Sequence, residues 1–111
     1  MAQTQHVRNA MYSSLGGDPE LAALVEWFVQ ELPKRAAAML ERTDASDWEG
    51  LRQAAHQLKG AGGSYGFAPL TPAAARLEEA IAGGEGEEEI LAAVVELVDL
   101  CLSARAGAAA G

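Results

Sequence analysis

His56 is the residue of this chain best suited to nucleophilic chemistry, because of its neighbours on a predicted helix. A neutral imidazole carries a nucleophilic lone pair at physiological pH, and a ring nitrogen can be phosphorylated. At about 100° per residue, the apolar residues of segment 51–65 share one helical face, and His56 lies well away from it. Arg52 and Lys59 lie on the same outer side, so they predict a basic surface that could hold an anionic group.

Four glycines follow His56 within ten residues: Gly60, Gly62, Gly63 and Gly66. Gly62 falls on the apolar face, where it would let a neighbouring helix approach, and Gly66 is placed to end the helix. Gly60 and Gly63 fall on the outer face, where each glycine costs about 1 kcal/mol relative to alanine. We therefore expect Gly60 and Gly63 to leave an open approach through which a second protein reaches the imidazole.

A histidine nucleophile also needs an acceptor that keeps the proton on its other ring nitrogen. Glu78 is the best candidate, because it lies at the edge of the apolar stripe on the next predicted helix, which must run back alongside the first. Glu79 points further toward solvent and is the second choice.

Other interpretations of this stretch are weaker. An exposed helical histidine is more often an ordinary surface residue, but the neighbours of His56 count against that. The segment GAGGSYG does not fit a GxGxxG phosphate loop, because Tyr65 replaces the last glycine and no strand precedes it. Arg52 and Gly60 occupy the positions four residues from the histidine where a metal site would need ligands. We expect neither a metal nor a cofactor.

Composition favours one small helical domain. The chain has 111 residues, half of them apolar and only 5% aromatic, which suits close-packed helices. The net charge of -8 argues against a nucleic-acid partner. No apolar run approaches the roughly 18–20 residues that span a membrane, and the first residues, MAQTQHVRNA, lack the apolar segment typical of a secretory signal. A lone cysteine, Cys101, falls on an apolar stripe and is expected in the core. We expect a cytoplasmic monomer with no membrane contact.

The predicted elements are four amphipathic helices joined by short loops, hence an all-α, antiparallel up-down bundle. Asp18-Pro19 predicts the start of the first helix. Pro33 should kink or divide that helix, since it removes a backbone donor. Ser46 and Glu49 have capping-box spacing and predict that the second helix begins near residue 47.

The second half of the chain continues this pattern. Thr71-Pro72 predicts the start of the third helix and Gly83-Gly84 its end. The last helix is predicted over 85–106, with acidic residues at its start, where the helix dipole favours negative charge. The predicted organisation is therefore an N-terminal arm at 1–17, the bundle at 18–106 and a frayed tail at 107–111.

These residues resemble a known family. Ala55-His56-Gln57-Leu58-Lys59-Gly60, followed by Gly66, Leu70 and Leu77-Glu78, closely resembles the histidine-containing phosphotransfer (HPt) domain of bacterial two-component phosphorelays. The resemblance extends over about 18–102. It departs at Ala61 and Gly62, where the family often has small hydroxyl residues.

The resemblance implies a role for each matching position. His56 would carry a phosphoryl group, Lys59 would support it electrostatically, Gly60 would leave space for the partner, and Glu78 would orient the ring. The implied partners are response-regulator receiver domains, with a sensor histidine kinase as a further candidate. Mg²⁺ would belong to the receiver, and this chain would be a carrier, not an enzyme.

Two rival functions remain at this point. The first is a docking module of the same fold that binds a receiver without being phosphorylated. The second is an enzyme with His56 as general base, which lacks a recognisable second catalytic group. Because the chain starts at Met1 and ends soon after the last predicted helix, we expect a free-standing shuttle.

Overall fold

The computed structural model describes residues 10–107, and in this range the chain forms four α-helices and two very short strands. The elements, in chain order, are β1 (Met11–Tyr12), α1 (Ala22–Asp44), α2 (Trp48–Ser64), α3 (Leu70–Ala82), α4 (Glu87–Ser103) and β2 (Ala104–Arg105). This architecture confirms the predicted all-α four-helix bundle. The outer parts of the predicted arm and tail, 1–9 and 108–111, lie outside the described residues.

The helices pack in a ring, in which α1 and α3 each contact both α2 and α4. Each helix buries one apolar stripe, as its periodicity predicted. The largest fully buried side chains are Val25, Phe28, Leu32 and Met39 of α1, Leu51 and Leu58 of α2, Leu70 and Leu77 of α3, Val94, Leu97 and Cys101 of α4, and Phe67 of the α2–α3 loop. The core therefore lies between all four helices.

The start of α1 and the capping residue of α2 differ from the prediction, although α2 begins near residue 47 as predicted. Asp18 does not cap α1; its carboxylate accepts from the backbone N–H of Glu20 in a separate turn, and α1 begins at Ala22. The cap of α2 is Asp47, whose carboxylate accepts from the N–H of Gly50, and not Ser46. Ser46 has a left-handed backbone with φ of 54°, whereas an N-cap residue has extended geometry.

The third and fourth helices also differ slightly from the prediction. Helix α3 begins at Leu70, so Thr71 lies inside its first turn and its hydroxyl is free to bond elsewhere. Gly83 and Gly84 end α3 as predicted. Helix α4 is shorter than the predicted range 85–106, because the backbone becomes extended at Ala104.

Helix α1 continues through Pro33 without a break. The structure thus shows one helix where the sequence allowed a divided segment. The alternative expectation, a kink at Pro33, stays a prediction.

The segment before α1 is more ordered than an irregular lead-in. β1 pairs in parallel with β2, and the hydroxyl of Ser13 donates to the carbonyl of Tyr65 at 2.5 Å. The N–H of Ser14 donates to the carbonyl of Gly66 at 2.9 Å. Because the last carbonyls of a helix lack partners within it, these bonds complete the C-terminal end of α2.

Gly62 and Gly60 allow a matched test of the packing. A side chain at Gly62 would begin 2.7 Å from Cβ of Leu70, whereas no atom of the described residues lies within 4 Å of that position at Gly60. We expect Gly62→Ala to lower the free energy of unfolding by about 1–3 kcal/mol through overpacking. Gly60→Ala should raise it by about 1 kcal/mol through helix propensity. Urea unfolding measures both, and equal effects would contradict this account of Gly62.

Candidate functional site

The imidazole of His56 stands on the outer face of α2 and contacts a carboxylate of α3. Its Nδ1 lies 2.9 Å from Oε2 of Glu78. The His56 side chain is 63% exposed, whereas the Glu78 side chain is only 16% exposed. The ring is therefore accessible to a second molecule, and its inner nitrogen faces an acceptor from the neighbouring helix.

Lys59 holds the other oxygen of the same carboxylate. Its Nζ lies 2.8 Å from Oε1 of Glu78. The hydrogen bond from Lys59 holds the pKa of Glu78 below its ordinary value of 4.5, with a further contribution from His56, although partial burial opposes both. Glu78 is therefore ionised at neutral pH.

The charge state of Glu78 determines which nitrogen of a neutral His56 carries the proton. An ionised carboxylate can only accept hydrogen bonds. Nδ1 must then be the N–H that donates to Glu78, and the lone pair lies on Nε2. Because the ring is exposed, that lone pair is available to an incoming electrophile.

Arg52 adds a second cation beside the carboxylate. Its guanidinium forms two hydrogen bonds with Glu49, at 3.0 and 2.6 Å, and its Nη1 lies 3.8 Å from Oε2 of Glu78. Glu49 raises the pKa of Arg52 mainly through these hydrogen bonds. Arg52 is thus tied into the network around Glu78. Its predicted contribution to a basic surface for an anionic group of a partner stays a prediction.

The glycines divide between faces as the helical wheel predicted. Gly62 is buried, while Gly60 and Gly63 are exposed on the side of His56. A side chain at Gly63 would begin 3.6 Å from Oγ1 of Thr71, an ordinary contact, and at Gly60 it would project into open space. The outer face of α2 therefore has no side chain at the positions four and seven residues beyond His56.

The structure brings His56, Lys59 and Glu78 together and leaves Glu79 exposed on α3. Sequence reasoning missed Thr71, whose hydroxyl donates to the carbonyl of Lys59 at 3.0 Å and joins α2 to α3 beside the site. No local pattern marks that contact, because it depends on how two helices pair.

The described residues also bear on metal sites, on membrane-spanning helices and on the lone cysteine. Residues 10–107 contain no group of three or more His, Cys, Asp or Glu side chains placed to hold a metal ion. None of the helices in this range is long and apolar enough to cross a membrane. Cys101 is buried in α4, and burial raises the pKa of its thiol to about 12, so the thiol stays protonated.

Comparison with known proteins decides the family. The model of the Hpt domain family matches residues 23–108 of the chain. The chain belongs to the Hpt domain family. Hpt domains are phosphotransfer proteins of two-component signalling, so this Hpt domain has a phosphotransfer function and interacts with the response regulators or kinases of a phosphorelay. Searches of curated proteins and of solved structures gave no match.

The lowered pKa of Glu78 predicts how the stability of this Hpt domain depends on pH. A carboxyl whose folded pKa lies below 4.5 stabilises the fold fully above that pH and loses the contribution as the pH falls through the lowered value. Glu78→Gln should therefore be less stable than wild type at neutral pH, and the gap should shrink in acid. Urea unfolding across this range measures the gap.

Glu79→Gln is the control for that measurement, since it removes the neighbouring exposed carboxylate. We expect no comparable pH-dependent gap for it, because the ion pairs of His56 and Lys59 use Glu78. A gap for Glu78→Gln that persists undiminished in acid would contradict the assignment.

Proposed function

We propose that this Hpt domain accepts a phosphoryl group on Nε2 of His56 from the aspartate of a receiver domain and passes it to the aspartate of another. The observation that carries the proposal is the 2.9 Å contact between Nδ1 and the ionised carboxylate of Glu78. This contact leaves the lone pair of His56 on Nε2. A histidine without such an acceptor would divide its proton between both nitrogens.

The transfer step is a displacement at phosphorus. The lone pair of Nε2 attacks the phosphorus atom, the Nε2–P bond forms, and the P–O bond to the aspartate breaks. The aspartate leaves as a carboxylate, while the Nδ1 proton stays on the ring. Positive charge develops on the imidazole during attack, and the Glu78 carboxylate stabilises it at hydrogen-bond distance. The reverse step regenerates the same neutral tautomer.

Lys59 supplies a positive charge on the same helix as the ring, through its contact with Glu78. An ammonium group has three N–H donors, and the contact with Glu78 at 2.8 Å uses one of them. The other donors remain for oxygens of the phosphoryl group. Lys59 therefore supports both the orienting carboxylate and the transferred group.

Gly60 leaves room for the partner to approach His56. In-line transfer requires the aspartyl phosphate to come within about 3–3.5 Å of Nε2, and the receiver must bring its own backbone close to α2. The exposed, unobstructed position of Gly60 supports this function. The receiver supplies Mg²⁺ and the groups that polarise the phosphate, and we assign no cofactor to this chain.

Phosphoryl transfer from a labelled receiver domain tests the proposal directly. Incubation with phosphorylated receivers should place an acid-labile, base-stable label on the native chain. His56→Gln should abolish the label. His6→Gln, a change of the other histidine of the chain, should leave it intact. Absence of label with every receiver tested, while a receiver still binds, would replace the carrier function by that of a docking module.

Substitutions of different size at Gly60 test the requirement for close approach. Gly60→Gln should leave the bundle folded and slow transfer about tenfold to a hundredfold, because a displacement of about 1 Å between reacting groups is enough for such a loss. Gly60→Ala should transfer at nearly the native rate. Rapid-quench measurement of the transfer rate, with circular dichroism for the fold, compares them. Native transfer by the Gln variant would refute the requirement.

A further inference from the structure

A groove between α1 and α2 lies on the flank of α2 opposite to Glu78. It has a volume of about 130 Å³, and its polar lining comes from Arg35 and Arg42 of α1 and Gln57 of α2. A water molecule takes about 30 Å³ of liquid volume. The groove can therefore accommodate a group of the size of a carboxylate, but not a large ligand.

Arg35 is an unusual arginine in this structure. Its Nε is buried, and no oxygen of residues 10–107 accepts its hydrogen. By contrast, Arg42, Arg52 and Arg76 each pair with a carboxylate. A buried donor without an acceptor destabilises a fold, so a contribution to folding does not explain Arg35.

The guanidinium of Arg35 is nevertheless held in place. It lies over the ring of Phe28, with Cζ at 5.9 Å from the ring centroid. Phe28 in turn stacks on Tyr65 at 4.2 Å. An arginine whose position is fixed before binding loses less conformational entropy when it binds an anion.

The pairing of α1 with α2 places Arg35 level with His56. Phe28 meets Tyr65 near one end of the helix pair, and Arg42 meets Asp47 near the other. Arg35 lies midway along α1 between those contacts, and the corresponding midpoint on α2 is His56. Because the helices are antiparallel, the groove and the imidazole lie at the same position along the axis of α2, on different sides of this helix.

Gln57 connects the two sides. It lines the groove with Arg35, and it also lines the shallow depression beside His56 and Glu78. A stable protein interface covers about 800 Å² of each partner. A domain docked on His56 therefore extends across Gln57 to the groove.

We propose that Arg35, with Gln57 and Arg42 beside it, binds a side-chain carboxylate of the protein that docks on His56. The proposal rests on the proposed function, since it takes the phosphoryl-exchanging partner as the occupant. That partner brings an acidic, metal-binding pocket toward a chain whose net charge is -8, so the two surfaces repel at long range. The guanidinium of Arg35, which lines the groove at the level of His56, offsets this repulsion and fixes the register of docking.

The test uses a receiver domain that transfers its label to the native chain. It measures the Kd of this receiver for wild type and for three variants. Arg35→Met keeps an apolar stem and removes the donors, and we expect it to raise the Kd about tenfold, which corresponds to about 1.4 kcal/mol. Its melting temperature should be unchanged or higher, because an unpartnered donor is removed. Arg76→Met, a matched change on α3, should stay within about twofold of wild type.

Arg35→Lys separates the charge from the planar donor group, because lysine keeps a positive charge but lacks Nε. It should bind with a Kd between those of wild type and Arg35→Met. If Arg35→Met lowers the melting temperature, the lysine variant decides: a raised Kd supports the proposal, and a wild-type Kd overturns it. A wild-type Kd for a stable Arg35→Met variant also overturns the proposal. An equal rise of the Kd in Arg76→Met overturns it as well, because net charge alone would then explain the weaker binding.

Acetate tests whether the groove takes free anions instead. Millimolar acetate that shifts the NMR signal of the Arg35 Nε–H, combined with a wild-type receiver Kd for Arg35→Met, would assign the groove to a free anion and overturn the proposal. Failure of the proposed function is seen separately, as absence of label on His56 in the native chain. Label on the native chain with an unchanged Kd in Arg35→Met refutes only the inference about the groove.

Discussion

The carboxylate of Glu78 is the contact on which the site depends, because one side chain holds both the reactive ring and its cation. His56 and Lys59 approach its two oxygens at 2.9 and 2.8 Å, and these distances depend on how closely α3 lies to α2. Gly62 permits that approach where its backbone meets Leu70. A buried glycine on one face of α2 thus sets the hydrogen bond made on another face, and packing determines the tautomer of the histidine.

Two departures from the local rules of stability lie at the level of the site, one on α2 and one on α1. Gly60 is an exposed helical glycine without a packing neighbour, and Arg35 has a buried donor without an acceptor. Two helix starts follow the rules, with acidic residues at the start of α4 and an Asp cap on α2. Because natural proteins depart from local consistency mainly at functional sites, both departures indicate a surface that is completed by a partner.

Periodicity was enough to predict what depends on a single helix. It separated buried Gly62 from exposed Gly60 and placed His56 outside the core, and it directed attention to Glu78 as the edge residue of the next helix. It could not predict contacts that depend on the pairing of distant segments. The bond between Thr71 and Lys59, the capping of α2 by Ser13 and the position of Arg35 all require the helix register. The prediction of Ser46 as the cap of α2 failed because the loop backbone, and not residue type, decided the cap.

The two flanks of α2 differ in how their charged side chains are paired. The flank toward α3 orients His56, whereas the flank toward α1 carries the proposed contact with a partner. Toward α3, cations and carboxylates pair with one another, so the imidazole is oriented before any partner arrives. Toward α1, the Nε of Arg35 has no acceptor among the described residues, and we propose that this arginine binds a partner. Substitutions on the α1 flank can then change which protein docks without disturbing the hydrogen bond that orients His56. The proposed exchange of a phosphoryl group with more than one protein would benefit from this arrangement, since one fixed imidazole can serve partners that are distinguished beside it.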